Sequence, residues 1–264
     1  YGIDIDIHAV EVAKFSLLIK LIEDETAPSV SEVVPILPDL GDNIQFGNSL
    51  VSQTELNGIS GANRQMMEIA PFDWSTINNG CGFDVIIGNP PYVNTEGMHA
   101  LLPSAEVEVY KKKYKTSHKQ FDKYFIFIEQ AINKINENGL VCYIVPNKFF
   151  KIGAGEKLRN LIAKERMLVS LDDFGDAQLF EDKTIYSSII LLSKAKQTSF
   201  VYSSVDSANK LWAGEEVSSI ELNSSVLNKL PWRLTTDFEF LTMLQRLDEV
   251  SVPITKHAEI FNGI

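Results

Sequence analysis

Two adjacent prolines, Pro90-Pro91, end a dense apolar run, Phe83-Asp84-Val85-Ile86-Ile87. Each proline fixes φ near about −65° and removes a backbone N–H, so neither can continue a central strand or sit inside a helix. The run must therefore stop at Gly88 and pass into a stiff loop, Asn89-Pro90-Pro91-Tyr92, whose carbonyls keep their acceptor capacity. A short run of this kind reads as a buried strand, and a fixed loop at its carboxyl end is where an α/β sheet presents a ligand.

The rest of the chain alternates in the same sense. Gly2–Asp6 reads as the end of a strand. The region 7–23 reads as a helix with Val10, Ala13, Leu17 and Leu21 repeating on one face. The Pro- and acid-rich stretch 24–42 reads as loop, 44–46 as a short strand, and 51–80 as an irregular insertion. After the proline loop comes a second irregular stretch. A helix is expected over 122–136 through Phe125, Ile128, Ile132 and Ile135, with Gly139 as its stop and 140–145 as the next strand. Residues 155–165 read as a helix, and 167–174 with 186–193 as an antiparallel hairpin. A last strand is expected at 200–205. Near Ser207 the texture turns to Ser, Asn and Glu, with a helix at 237–248, so the boundary expected is 1–206 against 207–264. Strand–helix alternation implies α/β architecture with a mostly parallel sheet covered on both faces.

Composition sets broad limits. The chain has 264 residues, 45% hydrophobic and 22% charged, as an ordinary globular protein does. No apolar run approaches the roughly 18 residues needed to cross a bilayer. The start, Tyr1-Gly2-Ile3-Asp4, shows neither an initiator Met nor a basic-then-apolar leader. Cys81 and Cys142 lie far apart and read as free thiols of a reducing, cytoplasmic setting. A formal charge of −11 argues mildly against a nucleic-acid partner. The mean hides Lys111, Lys112, Lys113, Lys115, Lys119 and Lys123, with Asp122 the only acid from Tyr110 to Lys123. A second cationic stretch holds Lys148, Lys151, Lys157, Arg159, Lys164 and Arg166. A solvated helix face accounts for either run taken alone.

The proline loop carries the chemical argument. The Asn89 amide oxygen and a fixed backbone carbonyl make two acceptors aimed at a small space. A planar amine, with two N–H donors, satisfies both. The Tyr92 ring offers a face on which a flat base can stack.

The segment Phe83–Tyr92 resembles the catalytic motif of the Asn-Pro-Pro-Tyr amino-methyltransferases, and most of all the gamma group of adenine-N6 DNA methyltransferases of restriction–modification systems. Gly2-Ile3-Asp4-Ile5-Asp6 resembles that family's second cofactor strand, with Asp4 taking ribose hydroxyls. Phe46-Gly47-Asn48-Ser49-Leu50 resembles its third segment, with Asn48 at the cofactor adenine. Tyr124–Ala131, Gly139–Phe150 and Leu158–Ser193 follow in the family's order. The resemblance implies a Rossmann-like fold, S-adenosylmethionine as cofactor, and double-stranded DNA as partner, with an endonuclease and a specificity domain fused or associated. Catalysis would rest on Asn89, Pro90, Pro91 and Tyr92. Cofactor contacts would come from Asp4, Ile5, Asn48, Ser49 and Asn89. The flipped base would stack on Tyr92, with Phe180 or Tyr186 on its other side. Lys111, Lys112, Lys113, Lys115 and Lys119 would follow the DNA backbone.

The family places a glycine-rich cofactor loop on the central strand of its sheet, before the Gly-x-Asp strand. This chain opens at that Gly-x-Asp strand, which predicts a slot between the strands ending at Asp6 and Ile87. Residues 254–264 resemble the opening of a DNA-recognition domain. Protein glutamine-amide or RNA amino-methylation, and a non-catalytic DNA-binding subunit, are the alternatives. Gly153-Ala154-Gly155 lacks the third glycine of a dinucleotide fingerprint and reads as a helix start. Glu181-Asp182-Lys183 reads as a hairpin turn rather than half of a nuclease metal site. His8, His99, His118 and His257 show no ligand spacing, and no metal is assigned.

Overall fold

The structure, a computed structural model, describes residues 1–23, 38–178, 186–252 and 254–259. Most of the 24–42 stretch, the 181–183 turn and Phe180 lie outside the described residues. The chain forms two compact units, Tyr1–Tyr143 with Ser193–Ala195, and Ile144–Leu192 with Lys196–Ile264.

In the first unit, β1 (Gly2–Asp4) pairs parallel with β2 (Ile44–Phe46), in the register Gly2 to Ile44 and Asp4 to Phe46. Between them runs α1 (Ile7–Ile22), capped by the Asp6 carboxylate, which accepts the His8 N–H. Helix α1 forms where expected, but only Val10 of its apolar face is buried; Leu17 and Leu21 are 47% and 57% exposed. Helical periodicity reports the stripe, whereas burial needs a partner surface that the described residues of this unit do not supply.

The segment 51–80 is more ordered than its polar composition implies, holding α2 (Ala62–Ile69) and three 3₁₀ turns. Strand β3 (Phe83–Gly88) leads into the proline loop. The stretch expected to be irregular after it contains α3 (Thr95–Leu101) and α4 (Ser104–Lys113). Asn94 caps α3 by accepting the Gly97 N–H at 2.8 Å. Pro103 separates the two helices, which at 7 and 10 residues of mixed polarity are too brief for periodicity to declare them.

Helix α5 (Lys123–Lys134) is buried almost all round, with Tyr124, Phe125, Ile126, Ile128 and Ile132 in the core. It ends at Lys134, two residues before the expected end at 136, and β4 (Ile135–Pro146) begins at once. Gly139 serves the sheet instead. Phe83 pairs with Ile135 but Val85 with Leu140, so the strand bulges between them. A Cβ at Gly139 would meet the Phe83 carbonyl oxygen and the Ile135 Cβ at 2.8 Å. Only glycine fits that close approach. From Val85 to Gly88 the β3–β4 pairing is regular and parallel.

Strand β1 pairs with β2 and β3 with β4, in separate sheets, and both β1 and β3 line one cavity. On β3 the apolar side chains Val85 and Ile87 stand 57% and 75% exposed.

In the second unit, α6 (Glu156–Lys164) follows a 3₁₀ turn at Gly153–Gly155. Strand β5 (Leu168–Gln178) pairs antiparallel with β6 (Tyr186–Ser193), the expected hairpin, and parallel with β7 (Ser199–Ser204). After α7 (Ala208–Trp212), β8 (Ser218–Asn223) adds to β7 antiparallel. Trp232 packs against Phe149 and Phe150, with ring centroids 5.8 Å and 6.1 Å away. Arg159, 1% exposed, donates to the carbonyls of Phe149, Ile152 and Lys229, which satisfies its buried charge with backbone acceptors. Helix α8 (Phe238–Val250) has no buried residue. Among the described residues no helix is long and apolar enough to cross a membrane.

Exposed apolar strand edges template pairing with another chain. The 264-residue chain studied alone should self-associate in sedimentation velocity. Ile87→Lys should raise the concentration at which it stays monomeric by about tenfold, the effect of about 1.4 kcal/mol. A parent chain already monomeric at high concentration would contradict this.

Candidate active site

Three strand ends in the first unit open on one cavity of about 680 Å³. Its lining comprises residues 1–5 of β1 and its flanks, 47–49 after β2, and 85–91 of β3 and the proline loop. Trp74, Phe83, Tyr143 and one face of α5 (Lys123, Phe127, Gln130, Ala131 and Lys134) complete it. The volume lies within the roughly 300–1,000 Å³ of small-molecule sites. The cavity thus brings together Asp4, Ile5, Asn48, Ser49, Asn89, Pro90 and Pro91, which sequence places in separate stretches.

The two acids of the first strand divide their work. Asp6 is occupied as the α1 cap. Asp4 accepts the Asp6 N–H at 2.8 Å and lines the cavity, with carboxylate lone pairs to spare.

The turn after β2 is held unusually firmly. Gly47 has φ +153°, and a Cβ there would lie 2.8 Å from the Phe72 ring. Asn48 is 4% exposed; its Nδ2 donates to Glu106 at 2.9 Å and its Oδ1 accepts the Leu50 N–H at 3.1 Å. The Ser49 carbonyl accepts from the Trp74 indole at 3.0 Å and the Gln130 amide at 3.1 Å. The Leu50 carbonyl accepts from Lys113 at 2.9 Å and the Tyr114 hydroxyl at 2.8 Å. Four donors from remote segments therefore fix two adjacent carbonyls, that of Ser49 in the cavity wall and that of Leu50 just behind it in sequence.

In the proline loop, the Tyr92 hydroxyl donates to Asn89 Oδ1. The Tyr92 ring stands edge-on to Tyr124, 6.2 Å between centroids. Burial pushes the Tyr92 hydroxyl up to about 12, so it stays a donor at ordinary pH. The loop exit is pinned to the start of α5: Lys123 N–H donates to the Val93 carbonyl and Thr95 Oγ1 to the Phe121 carbonyl, both at 2.8 Å. Two ammonium groups reach the cavity, Lys123 and Lys134, and burial holds both below the usual lysine value. Neighbouring Glu106 opposes that fall at Lys123.

The lysine run does not act as one surface. Lys113 is turned inward to Leu50 and to Glu55, 2.9 Å away. Lys111, Lys112, Lys115 and Lys119 are exposed, Lys112 pairing with Glu108 and Lys111 meeting His99. Tyr186 opens β6 in the second unit and is 52% exposed. Sequence reasoning missed Trp74, Glu106, Gln130 and Lys134, and read Lys123 only as part of the cationic run; of these, Glu106 lies behind the cavity wall. The signal for Lys123, Gln130 and Lys134 was present, since 123, 127, 130 and 134 recur at helical spacing and mix polar residues into an apolar helix.

Comparison with known proteins gives a consistent result. The profile of the Eco57I restriction-modification methylase family matches residues 1–180. The chain is 38% identical, over its whole length, to the type II restriction enzyme and methyltransferase RM.Eco57I of Escherichia coli, of which it spans 26%. It is 27% identical over 69% of its length to the type II methyltransferase M.XhoI of Xanthomonas vasicola, of which it spans 35%. The cryo-electron microscopy structure of a DrdV–DNA complex aligns with 90% of this chain and 25% of that one, at a TM-score of 0.60 and 14% identity. A nuclease-deletion mutant of the type ISP restriction-modification enzyme LlaGI, with a DNA substrate mimic, aligns with 77% and 18%, at 0.52 and 14%. At such identities the likeness concerns fold, and it agrees with the Rossmann-like α/β architecture.

A raised hydroxyl value makes a sign-definite prediction. The folded value of Tyr92 lies above the unfolded value of about 10. Its neutral form therefore contributes stability fully below pH 10, lost as pH rises toward 12. The ultraviolet titration of the parent minus that of Tyr92→Phe should show one phenol ionising well above pH 10 in the folded protein. In denaturant it should fall back to about 10, and a folded midpoint near 10 would contradict the buried placement.

Proposed function

Because this chain belongs to the Eco57I restriction-modification methylase family, we propose that it carries the catalytic core of an S-adenosylmethionine-dependent methyltransferase acting on the N6 amine of adenine in double-stranded DNA. The observation that carries the reading is the single cavity shared by Asp4, Asn48, Ser49 and the Asn89-Pro90-Pro91 loop. The name of the Escherichia coli relative joins methyltransferase to restriction enzyme, and the two aligned structures contain DNA or a DNA mimic, which supports a DNA partner and an associated endonuclease.

The residues suit the cofactor. Asp4 offers carboxylate acceptors to vicinal hydroxyls, while Asn48 and Ser49 line the wall that would take the adenine. Bound there, S-adenosylmethionine supplies a methyl group on a positively charged sulfur. The chain's own task is to hold a poor nucleophile in place. Asn89 Oδ1 and the Pro90 carbonyl accept the two N–H bonds of the target amine and orient its lone pair. Tyr92 uses one lone pair of Oδ1 and leaves the other for the substrate. The amine gains positive charge as it is methylated, so fixed acceptors act by electrostatic preorganisation.

An adenine inside a duplex cannot reach such a loop and must be rotated out, at roughly a few kcal/mol. Stacking on Tyr92, worth about 1–3 kcal/mol per base, offsets much of that cost. Tyr186 or Phe180 is proposed for the base's other face. Exposed Lys111, Lys112, Lys115 and Lys119 are proposed for phosphates, with Lys113 committed to the Leu50 carbonyl. The segment 207–264 is proposed as linker and start of a recognition domain.

In the full-length polypeptide, Asn89→Ala should lower the methylation rate by roughly 10²–10³, the scale of one preorganised polar contact. DNA affinity should change little. Near-normal turnover would remove Asn89 from the site. Methyl label offered with DNA, RNA and peptide together should appear on DNA adenine. Label on RNA or on a glutamine amide, or no transfer at all, would overturn the assignment in favour of the corresponding alternative.

A further inference from the structure

We propose that Glu106 is a positioning residue for the donor cavity, fixing the Asn48 carboxamide in one of its two flips and excluding a carboxylate at that position; this rests on the donor-cavity reading above. Glu106 stands in α4, outside the cavity lining, and is 1% exposed. Asn48 forms part of the wall.

The two partners of Asn48 leave no ambiguity about its orientation. A carboxylate only accepts, and a backbone N–H only donates. Glu106 therefore demands the Nδ2 end and Leu50 the Oδ1 end, 2.9 Å and 3.1 Å away. The Tyr110 hydroxyl also meets the Asn48 side chain, so one lone pair of Oδ1 is left for a ligand, in a fixed place. Without Glu106 the flip would rest on the Leu50 contact alone.

Glu106 is itself surrounded by donors. The Tyr110 hydroxyl, on the same helix, donates to Oε1, and Lys123 of α5 lies 3.6 Å away. Tyr110, Lys123 and Asn48 are the polar and charged groups described against it. A buried carboxylate held in this way tolerates a neutral amide at position 48 but not a second carboxylate. With aspartate there, two acids at hydrogen-bond distance would have to share a proton. Donor binding would then need a proton that the native pair does not.

The test is the binding of S-adenosylhomocysteine, an unreactive product, to full-length protein by calorimetry between about pH 6 and 9, the range over which such a shared proton would be lost. Four proteins are compared: parent, Glu106→Gln, Asn48→Asp, and both together. Glu106→Gln can present either end of its amide to Asn48, and affinity should fall about tenfold, the loss of one charged hydrogen bond. Asn48→Asp should bind progressively more weakly as pH rises. The double variant, with a glutamine amide donating to the aspartate, should recover affinity and lose that added pH dependence. Removing the Glu106 carboxylate also shifts Lys123, which it holds up, so the double variant is read against Glu106→Gln and Asn48→Asp against the parent.

Thermal unfolding of each variant separates misfolding from misplacement, because recovery in the double variant cannot come from an unfolded protein. If the parent binds but Asn48→Asp shows the same pH profile whether or not Glu106→Gln accompanies it, the role of Glu106 is refuted. Failure of the parent to bind would instead overturn the donor-cavity reading itself, and the proposal with it.

Discussion

The structure depends on parallel pairing. Gly2–Asp4 lies parallel to Ile44–Phe46, and Phe83–Gly88 parallel to β4. Parallel neighbours release their chains at the same rim, so residues remote in sequence meet there without any local motif joining them. Asp4, Asn48 and Asn89 each follow or end a strand, and each reaches the one cavity. Pro90-Pro91 then prevents the β3 exit from relaxing into further strand or helix.

Strand ends alone would leave mobile loops, and the long segments between the strands supply what holds them. Trp74, Lys113, Tyr114 and Gln130 all donate to the carbonyls of Ser49 and Leu50. Glu129, buried on α5, accepts the N–H groups of Lys115 and Thr116 and fixes the turn that follows α4. The segments 51–80 and 93–121 are therefore scaffolding for the cavity wall. Buried polar groups with every partner in place cost little and specify one geometry.

How much of this was legible follows from the range of each interaction. Strands β1 to β7, α1, α5 and the proline loop are written in local pattern, and their positions agree with the structure to within a few residues, whereas β8 was not expected. What failed was non-local. Gly139 looks like a helix stop until Phe83 appears beside it across the sheet. The apolar stripe of α1 is readable, but its missing cover is not. Lys113 looks like its neighbours in sequence, and only the fold turns it toward Leu50. Glu106 lies 58 residues from Asn48, and no spacing rule connects them. The site's chemistry was thus visible in the residues that would face a ligand, and its supporting shell was invisible.

The two asparagines at the cavity show how that shell acts, because each is oriented from the opposite end. Amide oxygen and nitrogen are nearly equal in shape, so an asparagine alone does not define which it presents. At Asn89 the constraint falls on the oxygen. A phenol kept neutral by burial donates to it, and its second lone pair is left for a further donor. At Asn48 the constraint falls chiefly on the nitrogen, since a buried carboxylate can only accept from it. One residue thereby receives hydrogen bonds, and the other is held in one orientation with a lone pair of its oxygen still open. A cavity that must grip one ligand and aim another requires this division, because a freely flipping amide would spend part of its time offering the wrong end to each.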